Sequence, residues 1–114
     1  MHQAMLTVVA LIVTVASAFA AERPTRFWNL THNTISEFQL APAGTAKWGE
    51  NQCKNDKDGT VDFDERLRIT GIESGRYDVR IRDVSGRVCF ARNINIKAGE
   101  VFSIEERDLG DCSR

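Results

Sequence analysis

The chain has 114 residues, which is enough for one domain with a modest core and too few for two. Its 15 basic and 16 acidic residues give a formal net charge of −1. Nucleic acids and anionic membrane surfaces attract a positive field, so this composition predicts neither as a partner.

The first 20 residues have the composition of a secretory signal peptide. Ala4 to Phe19 contain no charge and are rich in Ala, Val, Leu and Ile, and Ala18-Phe19-Ala20 is a small-x-small cleavage site. We therefore expect a signal peptide over 1–20 and a single mature domain over 21–114, periplasmic or secreted and free of the membrane. The alternative is a retained anchor, for which about 16 apolar residues are short because a span needs about 20.

Apolar residues recur at alternate positions in short runs after residue 26, which is the pattern of half-buried β-strands. Six or seven such runs predict an all-β fold, a small antiparallel β-sandwich of immunoglobulin-like size, with a small open β-barrel as the alternative. The residues expected on the inner faces are Trp28, Leu30, Phe38, Leu40, Phe63, Leu67, Ile69, Tyr77, Val79, Ile81, Val88, Phe90, Ile94, Ile96, Phe102 and Ile104.

Polar and glycine-containing pairs mark the expected turns. His32-Asn33 would join the first two strands, Ser74-Gly75 would precede the fourth, and Ser85-Gly86 would form a tight hairpin that places Ile81 opposite Phe90. A second hairpin is expected at 97–100. The gap over 41–59 is too long for a simple turn and is where a functional loop would most naturally lie.

Three cysteines, Cys53, Cys89 and Cys112, follow the leader. An oxidising compartment would leave one disulfide and one remaining thiol. If the last hairpin turns at Ala98-Gly99, Cys89 lies opposite a position only a few residues before Cys112, which favours that pair. Cys53 could instead replace either partner, or bridge two chains if free.

No group of residues specifies a reaction, so we expect a protein that is not an enzyme. His32 is the only histidine beyond the leader, and nothing pairs it with a cysteine as a Cys–His nucleophile requires. The cysteines also lack the close C-x-x-C spacing of zinc sites. We expect His32 to be an exposed turn residue and the protein to need no cofactor, with calcium as the alternative.

The calcium alternative rests on residues 54–65, which resemble the twelve-residue loop of EF-hand proteins. Carboxylates stand at positions three, five, nine and twelve, and Gly59 at position six would allow the sharp bend. Lys54 replaces the first aspartate, and neither flank has a helical pattern, so a solvated acidic turn is the competing interpretation. The candidate metal ligands are Asp56, Asp58, Asp62 and Glu65.

Short motifs are spread over nearly all of the mature chain: Asn29-Leu30-Thr31, Ala43-Gly44-Thr45, Lys47-Trp48-Gly49, Asp56 to Leu67, Tyr77-Asp78-Val79-Arg80, Gly86-Arg87-Val88-Cys89 and Asp108-Leu109-Gly110-Asp111-Cys112. Together they resemble a group of small exported bacterial proteins of unassigned function, some labelled only by a twin-arginine export signal. The resemblance implies a bacterial, periplasmic or secreted setting and no substrate. The leader has no twin arginine, so a general secretory route is expected.

Trp48 lies in the long gap between predicted strands. A tryptophan in an exposed loop can mark a contact surface, although it can also plug one end of a small sandwich. We expect a non-enzymatic exported binding or structural module of the cell envelope, with Trp48 and the acidic run facing an unknown protein or envelope component. The alternative is a calcium-binding or calcium-stabilised secreted domain.

Overall fold

The computed structural model describes residues 4–5, 7–12 and 23–114. In residues 23–114, seven strands and two short 3₁₀ helices follow one another along the chain. The strands are β1 (Thr25–Leu30), β2 (Ile35–Pro42), β3 (Arg66–Ile69), β4 (Gly75–Asp83), β5 (Val88–Ile96), β6 (Val101–Glu105) and β7 (Gly110–Ser113), and the 3₁₀ helices are Gln52–Asn55 and Glu106–Asp108.

The strands form two sheets that pack face to face as a sandwich. The three-stranded sheet has the order β3-β1-β6, and the four-stranded sheet has the order β2-β4-β5-β7. The predicted small all-β sandwich is therefore confirmed. One pairing departs from the expectation, because β1 and β6 run parallel while the other strand pairs are antiparallel.

Of the predicted leader, the described residues 4–5 and 7–12 contain neither helix nor strand. Their large apolar side chains are exposed. The predicted cleavage site, Ala18 to Ala20, lies outside the described residues. Within the described ranges, no helix has both the length and the apolar character to cross a membrane.

Three phenylalanine rings join the two sheets at the centre of the sandwich. Phe27 of β1 and Phe38 of β2 come from different sheets, and their ring centroids lie 4.4 Å apart. Phe102 of β6 packs against both, at 5.7 and 6.3 Å. The rings are tilted rather than parallel, an arrangement that aromatic pairs prefer.

The inner face of β1 differs from the prediction by one residue. Phe27 and Asn29 are buried, whereas Trp28 and Leu30 are partly exposed on the outer face. Both faces of this strand carry large apolar residues, and the polar Asn29 made the wrong face look like the inner one. Phe63, also expected in the core, is 60% exposed.

The inner face of β5 was also assigned to the wrong residues. Cys89 and Ala91 are buried, Val88 and Phe90 are partly exposed, and Ile81 pairs with Cys89 rather than with Phe90. The expected hairpin does form, but its turn holds one more residue than a two-residue hairpin requires, and a slip of one residue exchanges the two faces of a strand.

Two pairs of strands that are consecutive in the chain, β1 with β2 and β5 with β6, lie in different sheets. The turn at 97–100 carries the chain from β5 in one sheet to β6 in the other, so no second hairpin forms there. The segment containing His32 and Asn33 likewise joins strands of different sheets.

Asn29 of β1 is fully buried, and its side chain donates two hydrogen bonds and accepts two. Its amide Nδ2 donates to the backbone oxygens of Asn33 and Val61, each at 3.0 Å. Its Oδ1 accepts from the backbone N of Thr31 at 3.0 Å and from the Thr31 hydroxyl at 2.6 Å. The Asn29-Leu30-Thr31 motif thus braces β1 against the β1–β2 connection and against Val61, which lies between β2 and β3.

We predict that Asn29→Ala lowers the free energy of unfolding by about 2 to 4 kcal/mol, because buried polar groups lose their partners. Asn95→Ala, at an exposed position of β5, is the matched control and should change it by less than about 0.5 kcal/mol. Urea unfolding followed by circular dichroism measures both. Equal effects of the two changes would contradict the role assigned to Asn29.

Candidate functional site

The long loop, which we define as residues 43–65, covers the outer edge of β2. An edge strand has unpaired backbone groups, and the loop supplies partners for them. Gly49 and Val61 bond through their backbones, and Asn51 through its side chain. The contacts are Gly49 N to Leu40 O at 2.8 Å, Asn51 Oδ1 to Phe38 N at 3.0 Å, Asn51 Nδ2 to Ser36 O at 3.3 Å, and Val61 with Ile35 through two bonds of 2.9 Å.

The same loop covers the outer edge of β3 through two amide side chains. Asn55 Nδ2 donates to the backbone oxygen of Arg68 at 2.8 Å. Gln52, itself buried, both accepts from the backbone N of Thr70 and donates to its oxygen, each at 3.0 Å. Because β2 and β3 belong to different sheets, the loop closes one open side of the sandwich.

Cys53 belongs to this loop, is fully buried and is not in a disulfide. Its Sγ lies 3.8 Å from the backbone oxygen of Ile35. Burial, with smaller contributions from the negative charges of Asp56 and Glu37, raises the pKa of the Cys53 thiol to about 12. A protonated, inaccessible thiol is a poor nucleophile, so Cys53 acts here as a small apolar core residue.

The disulfide joins Cys89 and Cys112, as predicted. The hairpin register from which the pair was chosen is wrong, because β6 lies in the other sheet. Cys112 instead reaches Cys89 through β7, which crosses back after the second 3₁₀ helix and pairs with β5. The bond fastens this short edge strand, whose residues are all exposed, to the body of the four-stranded sheet.

Trp48 lies on the outer face of the four-stranded sheet. Its ring centroid is 5.8 Å from that of Phe90, and both side chains are partly exposed. The Arg92 guanidinium lies 4.7 Å from the centre of the Phe90 ring. Arg80, opposite Phe90 on β4, donates to Gln39 Oε1 at 2.7 Å. Sequence reasoning selected Trp48 but missed Phe90, which it had placed in the core.

Two hydrogen bonds to β2 fix the backbone of Gly49, the residue that follows Trp48. Gly49 donates its backbone N to Leu40, and its backbone oxygen accepts from Gln39 Nε2 at 3.0 Å. On the other side of this segment, an open cavity of about 510 Å³ is lined by Leu40, Pro42, Lys47, Ile72 and Tyr77 together with polar groups.

The candidate calcium ligands do not converge as in an EF hand. Asp56 accepts from the backbone N of Asp58 at 2.8 Å, and Asp62 accepts from the Thr34 hydroxyl at 2.8 Å. Over the described ranges, no group of three or more acidic, histidine or cysteine side chains is placed to hold a metal ion. No EF-hand helix flanks residues 54–65, since the 3₁₀ helix Gln52–Asn55 overlaps their start and β3 follows their end.

Asp62 and Glu65 nevertheless interact. Partial removal from water raises the pKa of the Glu65 carboxyl, and hydrogen bonding and repulsion from Asp62 add to that effect. Lys54, the first of residues 54–65, forms an ion pair with Glu50 rather than with Asp62 or Glu65. The negative charge at Asp62 and Glu65 is therefore not neutralised by Lys54.

The most connected polar cluster was not anticipated from the sequence. Asp83, at the end of β4, is buried and accepts from Ser85, Asn33 and Arg87. Arg87 also pairs with Glu106 at 2.7 Å. Three separate connections of the chain thus meet at one end of the sandwich.

His32 borders this cluster through its backbone. Its N donates to Glu106 Oε2 at 3.0 Å, while its side chain is 76% exposed. The expectation of an exposed turn residue is consistent with this position. The cluster joins three connections of the chain through Asp83 and Arg87. Its charges are paired with one another, which indicates a structural role.

Comparison with known proteins adds no relative: no protein-family model, no curated protein and no solved structure matches the chain.

We predict a loss of stability in acid that is centred on Asp83. Burial alone would raise the pKa of its carboxyl, but hydrogen bonds from Ser85, Asn33 and Arg87 outweigh burial and lower the pKa to about 2. In the unfolded chain the Asp83 carboxyl is protonated near pH 4. The stabilisation is therefore complete above that pH and is lost as the pH falls toward 2. The loss should be about 2 kcal/mol.

Urea unfolding between pH 7 and pH 2 measures this dependence. Asp83→Asn should lower stability at pH 7 and make the acid fall shallower, while the exposed Asp111→Asn should leave the shape of the curve unchanged. Identical pH profiles for the parent and Asp83→Asn would contradict the assignment.

Proposed function

We propose that this chain is a non-enzymatic, exported binding module of the cell envelope, periplasmic or secreted, whose contact surface is built around Trp48 and Phe90. The observation that carries the proposal is the placement of these two partly exposed rings, in contact, on an outer sheet face. Aromatic side chains beside arginine are the residues that most often anchor protein interfaces.

The way in which the loop is fixed supports the same conclusion. Gly49, next to Trp48, is bonded to β2 through both its N and its oxygen. A side chain already held in position loses little conformational freedom on binding, so more of its contact energy appears as affinity. The partner would be a protein or another envelope component that buries the two rings.

Export is supported by the Cys89–Cys112 bond, because such bonds persist in oxidising compartments. A non-enzymatic role is supported by the two side chains that a nucleophilic mechanism would need first. The Cys53 thiol is buried with its pKa raised, and the His32 side chain, in the β1–β2 connection, is exposed to solvent.

We predict that a photo-crosslinking amino acid at Lys47 captures a partner in the cells that export this protein. Lys47 is exposed and adjoins Trp48, so a bound partner should lie within reach of it. Trp48→Ala should reduce the yield of the adduct about tenfold or more, as for an interface anchor.

Lys57 provides the matched control, because it is exposed in the same loop but not beside the rings. Adducts that form equally at Lys47 and Lys57, or that persist after Trp48→Ala in a normally folded variant, would contradict the proposed surface. Circular dichroism checks the folding of each variant.

Calcium binding is a second candidate, favoured by the repulsion between Asp62 and Glu65, which a cation would relieve. Only part of an EF-hand ligand set is available, and Lys54 adds a positive charge. Any affinity should therefore be weak, with Kd about 10⁻⁴ to 10⁻³ M, as in extracellular modules.

We predict that Lys54→Asp strengthens calcium binding, because it removes a cation and adds an oxygen donor, and that Asp58→Ala weakens it. Isothermal titration measures the affinities, and thermal melts with and without calcium give a second readout, since a ligand of the folded state raises Tm. If the parent and Lys54→Asp both show no heat and no shift at millimolar calcium, residues 54–65 are a solvated acidic turn.

A further inference from the structure

The near-zero net charge conceals an uneven distribution of charge over the surface. The outer face of the three-stranded sheet carries Arg26 on β1 and both Arg66 and Arg68 on β3, all exposed. Arg23, also exposed, lies beside the start of β1. Within residues 23–114, none of these four guanidinium groups has an acidic side chain within 4.0 Å.

The opposite sheet treats its exposed arginines differently. Arg82 pairs with Glu37 at 3.2 Å, and Arg92 pairs with Asp111 at 3.4 Å. Arg76 and Arg80 form no ion pair within residues 23–114, but each donates to a neutral oxygen, that of Asn93 at 3.2 Å and that of Gln39 at 2.7 Å. The three-stranded sheet therefore differs in that none of its exposed arginines has an acidic partner in this range. Charge complementarity favours an anionic partner for that face.

Two of these arginines lie close enough in the sheet to repel each other. Arg26 and Arg68 are directly opposite each other in the antiparallel β1–β3 pair, and Arg66 is opposite Trp28. Like charges at directly opposite positions destabilise a sheet. A partner that brings negative charge to this face would relieve the repulsion.

Apolar side chains lie among the guanidinium groups. The Arg66 guanidinium is 4.5 Å from the centre of the partly exposed Trp28 ring, whose Nε1 donates to Asp64 at 2.9 Å. Val101, paired with Arg26 from β6, is 43% exposed. Tryptophan, aliphatic residues and arginine together are the composition of a surface that lies at a membrane interface.

A cavity of about 470 Å³ opens at the end of this face. Arg23 and Arg68 contribute its charged lining, and Thr25, Thr70, Gly71 and Gly99 contribute polar side chains and backbone. The backbone comes close here, since a Cβ at Gly99 would lie 3.3 Å from the Arg23 oxygen. Two unpaired guanidinium groups beside a cavity are suited to a phosphodiester, which arginine binds bidentately.

We propose that the outer face of the three-stranded sheet docks on an anionic phospholipid bilayer. Arg26, Arg66 and Arg68 contact lipid phosphates, Trp28 and Val101 enter the headgroup boundary, and the cavity at Arg23 takes one headgroup. The exposed apolar side chains and the open face favour a bilayer over a soluble polyanion, which needs only charge. The surface lies on the opposite sheet from Trp48 and Phe90, so the two proposals stand or fall separately.

The test is co-sedimentation of the exported protein, with its N-terminus determined by mass spectrometry, on vesicles of phosphatidylcholine alone or with about 30% phosphatidylglycerol. Binding should require the anionic lipid and should be lost between about 0.05 and 0.5 M salt, because exposed charges are screened. The double variant Arg26→Gln with Arg68→Gln should bind about 25-fold more weakly, at about fivefold per arginine.

The matched control is Arg76→Gln with Arg82→Gln, which removes the same charge from exposed positions of β4 in the opposite sheet. It should bind as the parent does. Thermal melts check folding, and the Arg26 and Arg68 variant should melt at the same or a higher temperature because repulsion is removed.

Three results would overturn the proposal: equal binding to neutral and anionic vesicles, an equal loss of binding in both double variants, or no binding to either vesicle at low salt. Soluble polyphosphate that binds the parent as tightly as anionic vesicles, at equal phosphate concentration, would assign the face to a soluble polyanion instead of a bilayer.

Discussion

A two-sheet sandwich must satisfy the backbone groups at its open sides, and here one segment does so for an entire side. Residues 43–65 supply Gly49, Asn51 and Val61 to the edge of β2, and Gln52 and Asn55 to the edge of β3. Buried or unpaired edges would otherwise cost stability or invite aggregation. The burial of Cys53 and the bracing of Asn29 against Val61 both depend on this closure.

This constraint decides which side chains remain for recognition. The amide side chains of this loop, Asn51, Gln52 and Asn55, are bonded to the backbone of β2 and of the segment around β3, so the loop serves first as structure. Trp48 stays partly exposed against Phe90 on one sheet, whereas Arg26 and Arg68 on the other sheet have no acidic side chain within 4.0 Å in residues 23–114. The two outer faces therefore differ. The four-stranded sheet has two aromatic rings and arginines that each have a polar partner, and the three-stranded sheet has a tryptophan and arginines without an ion pair.

Sequence alternation established the existence of the strands more reliably than their inner faces. In β1 a buried, fully hydrogen-bonded Asn29 was mistaken for a surface residue, because polarity predicts exposure only when no internal partner exists. In β5 one additional turn residue before Val88 exchanged the faces and turned Phe90 outward. Both errors hid residues of the candidate surfaces, since Trp28 and Phe90 had been assigned to the core.

The sequence by itself determined the all-β class and the hairpin at Ser85-Gly86, because alternation and turn residues are local properties. It also indicated the Cys89–Cys112 pair, but from a β5–β6 register that the structure does not have. Tertiary structure alone decided that β6 joins the other sheet in parallel with β1, and that Asp83 gathers Asn33, Arg87 and Glu106. It also decided that Arg26, Arg66 and Arg68 share one face without an acidic partner among residues 23–114. Such groupings depend on which strands become neighbours in space, and strand pairing over long separations is set by the packing of the whole sandwich rather than by any local pattern.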